Sequence, residues 1–244
     1  MGAPWQRAIV VGASSGIGRA TAVLLARDGT AVALVARRAA ELERVAAECP
    51  GARAYPHDVT RGDEVAALVD RIAAELGEPD LLVYAAGVMP RIRPDEWDLV
   101  KDREAVAVNV LGAVAWVNAV APRFAAAGRG TIVGVSSVAG DRGRRGFPVY
   151  NATKAALDTY LEAVRHRVAR HGVRVVVVKP GPVDTPMSKG LDRLPLLVSA
   201  ERAATDLLAA ARRGARTAYV PSIWRPIMLA VRTIPGRVFD RLDL

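Results

Sequence analysis

The sequence predicts an α/β architecture: a doubly wound parallel sheet, covered on both faces by helices, in a single domain. Three observations carry that expectation. Short, almost wholly apolar runs alternate with segments whose apolar residues recur at helical spacing, as when strands buried on both faces lie between layers of helix. The first apolar run ends in a glycine-bearing turn that opens into a helical pattern. No internal repeat or low-complexity linker divides the 244 residues, which at 51% hydrophobic suffice to bury one full core.

Ala8 to Val11 is apolar, is bounded by Gly12 and reads as the first strand. Gly16 to Arg27 sets Ile17, Ala20 and Leu24 at helical spacing and stops at Asp28-Gly29. Ala31 to Val35 is the next strand, Ala39 to Glu48 a helix, and Arg53 to Tyr55 a short strand before His57-Asp58-Val59. Val65 to Leu76 then reads as helix and Leu81 to Tyr84 as strand. Asp102 to Ala127 reads as one long helix that Pro122 should bend or interrupt, since proline lacks the N–H an inner turn needs. Thr131 to Val135 (strand), Val149 to Arg170 (helix), Val173 to Val178 (strand), Ala200 to Arg212 (helix) and Ala218 to Val220 (strand) complete the alternation. A C-terminal amphipathic segment, 224–244, follows.

Composition narrows the function. No run of eighteen or more uncharged apolar residues occurs, and the first residues lead straight into a strand, so a cytoplasmic protein is expected. Cys49 is the only cysteine, which excludes a disulfide framework and a cysteine-based metal site. His57, His166 and His171 are scattered without ligand spacing, are expected on the surface or in loops, and leave no metal site. The formal net charge of +9, mostly arginine, fits an anionic cofactor, substrate or membrane surface, or equally arginines that solvate ordinary helix faces. With 5% aromatic residues and no helix-turn-helix pattern, nucleic acid is not an expected partner.

Two stretches carry chemistry. In the turn Gly12-Ala13-Ser14-Ser15-Gly16-Ile17-Gly18 the glycines allow backbone to approach a pyrophosphate closely, and the helix that follows offers free N–H groups. Ser14 and Ser15 can add hydroxyl donors or cap that helix. The second stretch is Ser137 to Lys154. Tyr150 and Lys154, four apart, share one helix face, and an ammonium beside a phenol favours the phenolate, making a general acid/base pair.

Gly12 to Gly18, Asp58, Ala85-Ala86-Gly87, Asn109, Ser137, Tyr150, Lys154 and Pro180-Gly181 occur in an order and spacing that resembles the classical short-chain dehydrogenase/reductase family over about Arg7 to Val220. The resemblance implies a Rossmann fold. It also implies that Asp58 and Val59 contact adenine, and that Ala85, Ala86 and Gly87 end a strand beside the cofactor. Asn109 would kink its helix and hold a water linking Lys154 to solvent. Ser137 rather than Ser136 matches the catalytic serine, thirteen residues before Tyr150. Val183 and Thr185, after Pro180 and Gly181, would hold the nicotinamide carboxamide. Tyr84-Ala85 stands where the family most often has two asparagines, which weakens a strand-bracing hydrogen bond in the analogy. Dimers or tetramers, formed through the helices carrying Asn109 and Tyr150, follow from the same resemblance.

The chemistry so implied is reduction of a ketone to a secondary alcohol, or the reverse. Tyr150 protonates the carbonyl oxygen, Ser137 donates to it, and Lys154 lowers the phenol pKa and binds ribose hydroxyls. The alternative is a reductase-like NADP(H)-binding sensor without turnover. An acidic residue at the end of the second strand would repel a 2′-phosphate; this chain has Ala36-Arg37-Arg38, which predicts NADP(H), with Arg37 the bidentate partner. Arg142, Arg144 and Arg145, between Ser137 and Tyr150, are expected at the active-site mouth, where they suit an anionic or lipid-linked substrate. Trp224, Ile227, Met228, Val231 and Ile234 either pack on the domain or make peripheral membrane contact. The arginine loop, the C-terminal segment and Val149 to Thr159 resemble the keto-reductase component of the decaprenylphosphoryl-ribose epimerase, which acts on a lipid-phosphate-linked keto sugar. Ordinary ketoreductases of the same fold act on steroids, polyketides and fatty-acyl ketones.

Overall fold

A computed structural model of the chain describes residues 5–93, 95–191 and 194–242. In order the elements are β1 (Arg7–Val11), α1 (Gly16–Arg27), β2 (Ala31–Ala36), α2 (Ala39–Glu48), β3 (Arg53–Pro56), α3 (Val65–Leu76), β4 (Leu81–Tyr84), α4 (Leu99–Val106), α5 (Gly112–Ala126) and β5 (Gly130–Val135). Then come α6 (Pro148–Val168), β6 (Val173–Pro180), β7 (Val183–Asp184), β8 (Val198–Ser199), α7 (Ala200–Arg212), β9 (Thr217–Val220), α8 (Trp224–Thr233) and α9 (Gly236–Phe239). Seven strands form one sheet in the order β3-β2-β1-β4-β5-β6-β9. Every pairing in it is parallel.

Side-chain alternation along each strand feeds two cores. Ala8 and Val10 join Leu25 of α1, Leu42 of α2 and Leu207 of α7, whereas Ile9 and Val11 join Val69 of α3, Trp116 of α5 and Leu161 of α6. Both faces of the sheet are therefore covered, which explains strands that read as unbroken apolar runs. Strand order reverses direction at β1, between β2 and β4, and opens a crevice at the carboxyl ends of the strands, where doubly wound sheets bind ligands.

The expected single helix from Asp102 to Ala127 is corrected in two ways. It begins earlier, with Asp98 capping α4 by accepting from Val100 N and Lys101 N, and it passes into α5 through a π turn at Ala107–Leu111. Pro122 does not interrupt it; the helix runs on to Ala126, although the carbonyl of Asn118 loses its ordinary N–H partner. By length and composition Leu99–Ala126 is apolar enough to span a bilayer, an 18-residue stretch of it reaching a mean hydropathy of 1.7. Its apolar residues Trp116, Val117, Val120 and Phe124 instead lie in the second core, where burying each contributes about 1.5–3 kcal/mol.

Strands β7 and β8 pair with each other outside the main sheet and were not foreseen, because two-residue strands carry no readable period. The C-terminal segment packs on the domain. Trp224 and Met228 are buried with Val138, and Tyr219, Ile227 and Val231 pack against them. Residues 243 and 244 of the segment, and residues 1–4 of the expected domain, lie outside the described residues.

Candidate active site

One cavity of about 510 Å³ runs along the carboxyl ends of the strands, from the glycine turn to Tyr150. At its first end, Gly12 N and Ala13 N donate to Val35 O at 2.8 and 3.1 Å, which folds the turn onto β2. Gly12 has φ +88°, and a Cβ there would lie 2.5 Å from Ala86 N; a Cβ on Gly18 would lie 2.2 Å from Gly12 O. The turn is thus a cradle of bare backbone at the start of α1, and it fits a pyrophosphate. Ser14, Ser15, Gly16 and Ile17 line it as well. Ser15 occupies the N-cap without a capping bond. Both serine hydroxyls accept instead from Arg38, at 2.8 and 3.1 Å, so this arginine crosses from β2 to the turn.

Arg37 also lines the cavity, half-exposed, with its guanidinium 3.9 Å from Asp58. Val59 lines the wall, but Asp58, expected beside adenine, does not. Its Oδ1 accepts from Thr60 N and Thr60 Oγ1 at 3.0 and 2.9 Å, while Oδ2 faces the Arg37 guanidinium. Burial pushes the Asp58 carboxyl up, and the Thr60 bonds and Arg37 outweigh it, leaving it below its ordinary value. His57 is a further correction: rather than a surface residue it is buried, lines the cavity, and packs edge-on to Trp116 at 5.9 Å between centroids. Among the described residues neither of its ring nitrogens has a hydrogen-bond partner. His166 and His171 are exposed, as expected.

At the other end, Ser137, Tyr150 and Lys154 meet on the cavity wall. Ser137 follows β5; its hydroxyl accepts from Ala139 N at 3.0 Å and lies 3.5 Å from Pro180 O. Ser136 is buried and donates to Lys154 O at 3.3 Å, so its hydroxyl is already engaged. Pro148 opens α6 and puts Tyr150 in its first turn. The Tyr150 phenol is raised, not lowered: burial pushes it up, opposed by the Ser137 hydroxyl and then by Arg144. The Lys154 ammonium sits 5.7 Å from the centre of the Tyr150 ring and donates to Val135 O at 3.0 Å. Burial brings Lys154 down to about 8, with Asp158, one turn along α6, working against it.

Asn109 is fully buried at the π turn, where the widened helix turns its amide inward. It accepts from Val88 N at 2.8 Å and donates to Val88 O and Thr153 Oγ1, bracing the loop after β4 against α6. Ala85, Ala86 and Gly87 line the cavity from that loop. The departure at Tyr84 does not weaken the bracing: its buried hydroxyl donates to Val108 O at 2.5 Å and ties β4 to the π turn. Pro180, Gly181, Val183 and Thr185 line the opposite wall. A Cβ on Gly181 would lie 2.0 Å from Trp224 Nε1, so Gly181 lets the C-terminal helix close down on the cavity.

The three loop arginines separate. Arg142 does not face the mouth; it donates to Val231 O and Ile234 O, both at 2.6 Å, capping the carboxyl end of α8, and stacks 3.8 Å from the Phe239 ring centre. Arg144 and Arg145 are both exposed, but Arg144 lines the cavity and Arg145 does not. Behind them lies an ionic cluster that sequence reading missed. Lys179 of β6 binds Asp141 at 2.5 Å and Asp158 of α6 at 2.8 Å, and Tyr219 of β9 donates to Asp141 at 2.8 Å. Burial pulls the Lys179 ammonium down and the two carboxylates more than restore it.

The sequence profile of the short chain dehydrogenase family matches residues 6–194. An uncharacterized oxidoreductase of Myxococcus xanthus (strain DK1622) is 38% identical over 188 residues, 75% of this chain and 74% of that protein. A cis-4-hydroxycyclohexanecarboxylate dehydrogenase of Sinomonas cyclohexanicum is 40% identical over 189 residues, 75% of this chain and 76% of that protein. A solved structure described as a short chain dehydrogenase/reductase family protein superposes with TM-score 0.81 at 33% identity, covering 90% of this chain and 97% of that one. The narrower resemblance to the epimerase's keto-reductase component finds no support in these relatives.

Proposed function

The chain belongs to the short-chain dehydrogenase family, a family of oxidoreductases, and we propose that it uses NADP(H) to reduce a ketone to a secondary alcohol, or runs the reverse. One observation carries the reading: Ser137, Tyr150 and Lys154 share a cavity whose far end is the glycine cradle. Gly12 to Gly18 would hold the pyrophosphate, Arg37 and Arg38 the 2′-phosphate, Val59, Ala85, Ala86 and Gly87 the adenosine side, and Val183 and Thr185 the carboxamide. When bound, the nicotinamide supplies the hydride that adds to the carbonyl carbon. Tyr150 gives its phenolic proton to the carbonyl oxygen as the C=O bond becomes C–O. The Ser137 hydroxyl donates to the same oxygen, and Lys154 holds ribose hydroxyls and steadies the phenolate left behind. Tyr150 is suited to arrive protonated, because burial holds its phenol up.

The NADP(H) preference is supported by two guanidiniums at the end of β2 that line a cavity with no carboxylate among its described lining residues. The substrate end is walled by apolar side chains, among them Val138, Phe147, Met187, Leu191, Leu194 and Trp224. We extend to this chain the kind of substrate named for the Sinomonas relative, a secondary alcohol on a compact carbon ring and its ketone. Assembly through α4 and α5 is part of the proposal, supported by exposed Trp97, Leu99, Val100 and Leu111 on and beside those helices. The test is NADPH oxidation against cyclic and open-chain ketones, with Arg37→Asp as the cofactor probe. Wild type is expected to favour NADPH, and the variant to move the NADPH to NADH ratio of kcat/KM toward NADH by about tenfold or more. An unchanged ratio assigns the 2′-phosphate elsewhere, and no turnover with any ketone overturns the reading.

A further inference from the structure

Among the described residues lining the cavity there is no aspartate or glutamate, yet Arg37, Arg38, Arg144 and Lys154 all line it. Three of these four have a place in the reading above: Arg37 and Arg38 at the cofactor end, Lys154 beside Tyr150. Arg144 does not. Its backbone is fixed, since its carbonyl accepts from Asn151 Nδ2 at 3.1 Å, and Asn151 adjoins Tyr150 on α6. Its guanidinium meets no carboxylate among the described residues; the titratable group that influences it is the Tyr150 phenol. The nearby Asp141 is committed to Lys179 and Tyr219. Arg144 is exposed at the cavity's edge, and a guanidinium that lines an otherwise apolar wall and meets no carboxylate among the described residues gains from an anion that arrives with a ligand and takes two parallel N–H bonds. Trp224 Nε1, buried on the same wall, is a second donor without a partner among the described residues.

Resting on the reductase reading, we propose that Arg144 is a specificity-determining residue that binds a carboxylate on the substrate, so that the preferred ketone is a keto acid with a compact apolar body. The carboxylate takes no part in the reaction. It anchors one end of the molecule while hydride adds to the carbonyl carbon at the other and Tyr150 supplies the proton to oxygen. Because Arg144 and Tyr150 are tied to the same turn of α6, the separation between carboxylate and carbonyl is selected.

The experiment compares 4-oxocyclohexanecarboxylate with its methyl ester, which keeps the ring and ketone and removes the charge. Wild type is expected to prefer the acid, and Arg144→Gln to lower the acid-to-ester ratio of kcat/KM by about 10- to 100-fold, the range for a hydrogen bond to a charged group. Arg144→Lys should retain part of the ratio and Arg145→Gln all of it. Arg144 also lies near Tyr150 on the cavity wall, so a second readout excludes an effect on the proton donor: inhibition by cyclohexanecarboxylate, which has no ketone to reduce, should weaken in Arg144→Gln by a similar factor. Equal losses on acid and ester, an unchanged ratio, or unchanged inhibition overturns the assignment. Wild type that reduces the ester and ignores the acid overturns it too, while leaving the reductase reading in place; wild type that reduces no ketone at all overturns that reading first.

Discussion

The two ends of the cavity are built by opposite means. At the cofactor end the decisive feature is missing side chains: Gly12 and Gly18 leave backbone bare where a Cβ would collide within 2.5 Å. The substrate end is made by side chains that reach across the chain, Arg142 to α8, Lys179 to Asp141 and Asp158, and Trp224 onto Gly181. A backbone cradle is specified by a contiguous motif and serves any dinucleotide-like ligand. A wall of long-range side chains can be rebuilt piece by piece, which is where choice of substrate resides.

The largest test of this division is Tyr150→Phe. It should lower turnover by about 10²- to 10⁴-fold while NADPH, titrated directly, binds within a few fold of wild type. A comparable loss of NADPH affinity would show that the two ends are not separable. Next comes Lys179→Met, which leaves Asp141 and Asp158 buried without their counter-charge. Stability should fall by about 3–5 kcal/mol, read as a drop in Tm of roughly 6–20 °C. If Tm holds, the substrate wall does not depend on the cluster.

The smallest effect concerns pH. Burial holds Lys154 near 8 against an ordinary 10.5, so between those values the unfolded chain binds more protons than the folded one, and stability of the cofactor-free protein should rise with pH across that window. An anionic cofactor favours the protonated ammonium. NADPH affinity should therefore weaken as pH rises through about 8, by up to about tenfold per unit, with proton uptake measurable by calorimetry in buffers of different ionisation enthalpy. Affinity flat from pH 7 to 9 would place Lys154 outside the cofactor's field.

The same contrast explains what could be read in the sequence. The strand and helix alternation, the glycine turn and the Tyr150–Lys154 spacing are local patterns, and the structure has the elements and turn where they were expected. What escaped reading depends on partners far along the chain. Nothing near Arg142 indicates that its guanidinium is spent on carbonyls 89 and 92 residues later. Tyr84 looked like a lost brace because its acceptor, Val108 O, becomes available only at the π turn. Asp58 and His57 are neighbours in sequence, yet the local Thr60 turn takes the carboxylate out of the cavity and leaves the imidazole in its wall. Direction of the phenol shift was misjudged for a related reason: spacing on a helix gives the face that Lys154 shares with Tyr150, but not how far the phenol is buried by the rest of the fold.

The tie between Arg142 and the end of α8 has a consequence for redesign. The family profile ends at residue 194, and the segment that closes over Gly181 lies beyond it. That segment is held by the Arg142 clasp, by the indole seated on Gly181 and by Met228 packed on Val138, contacts that all lie outside the sheet and the cradle. A chimera carrying another relative's tail should therefore keep the sheet and the cradle while rebuilding the wall around Trp224, provided Arg142 still finds a helix end to grip.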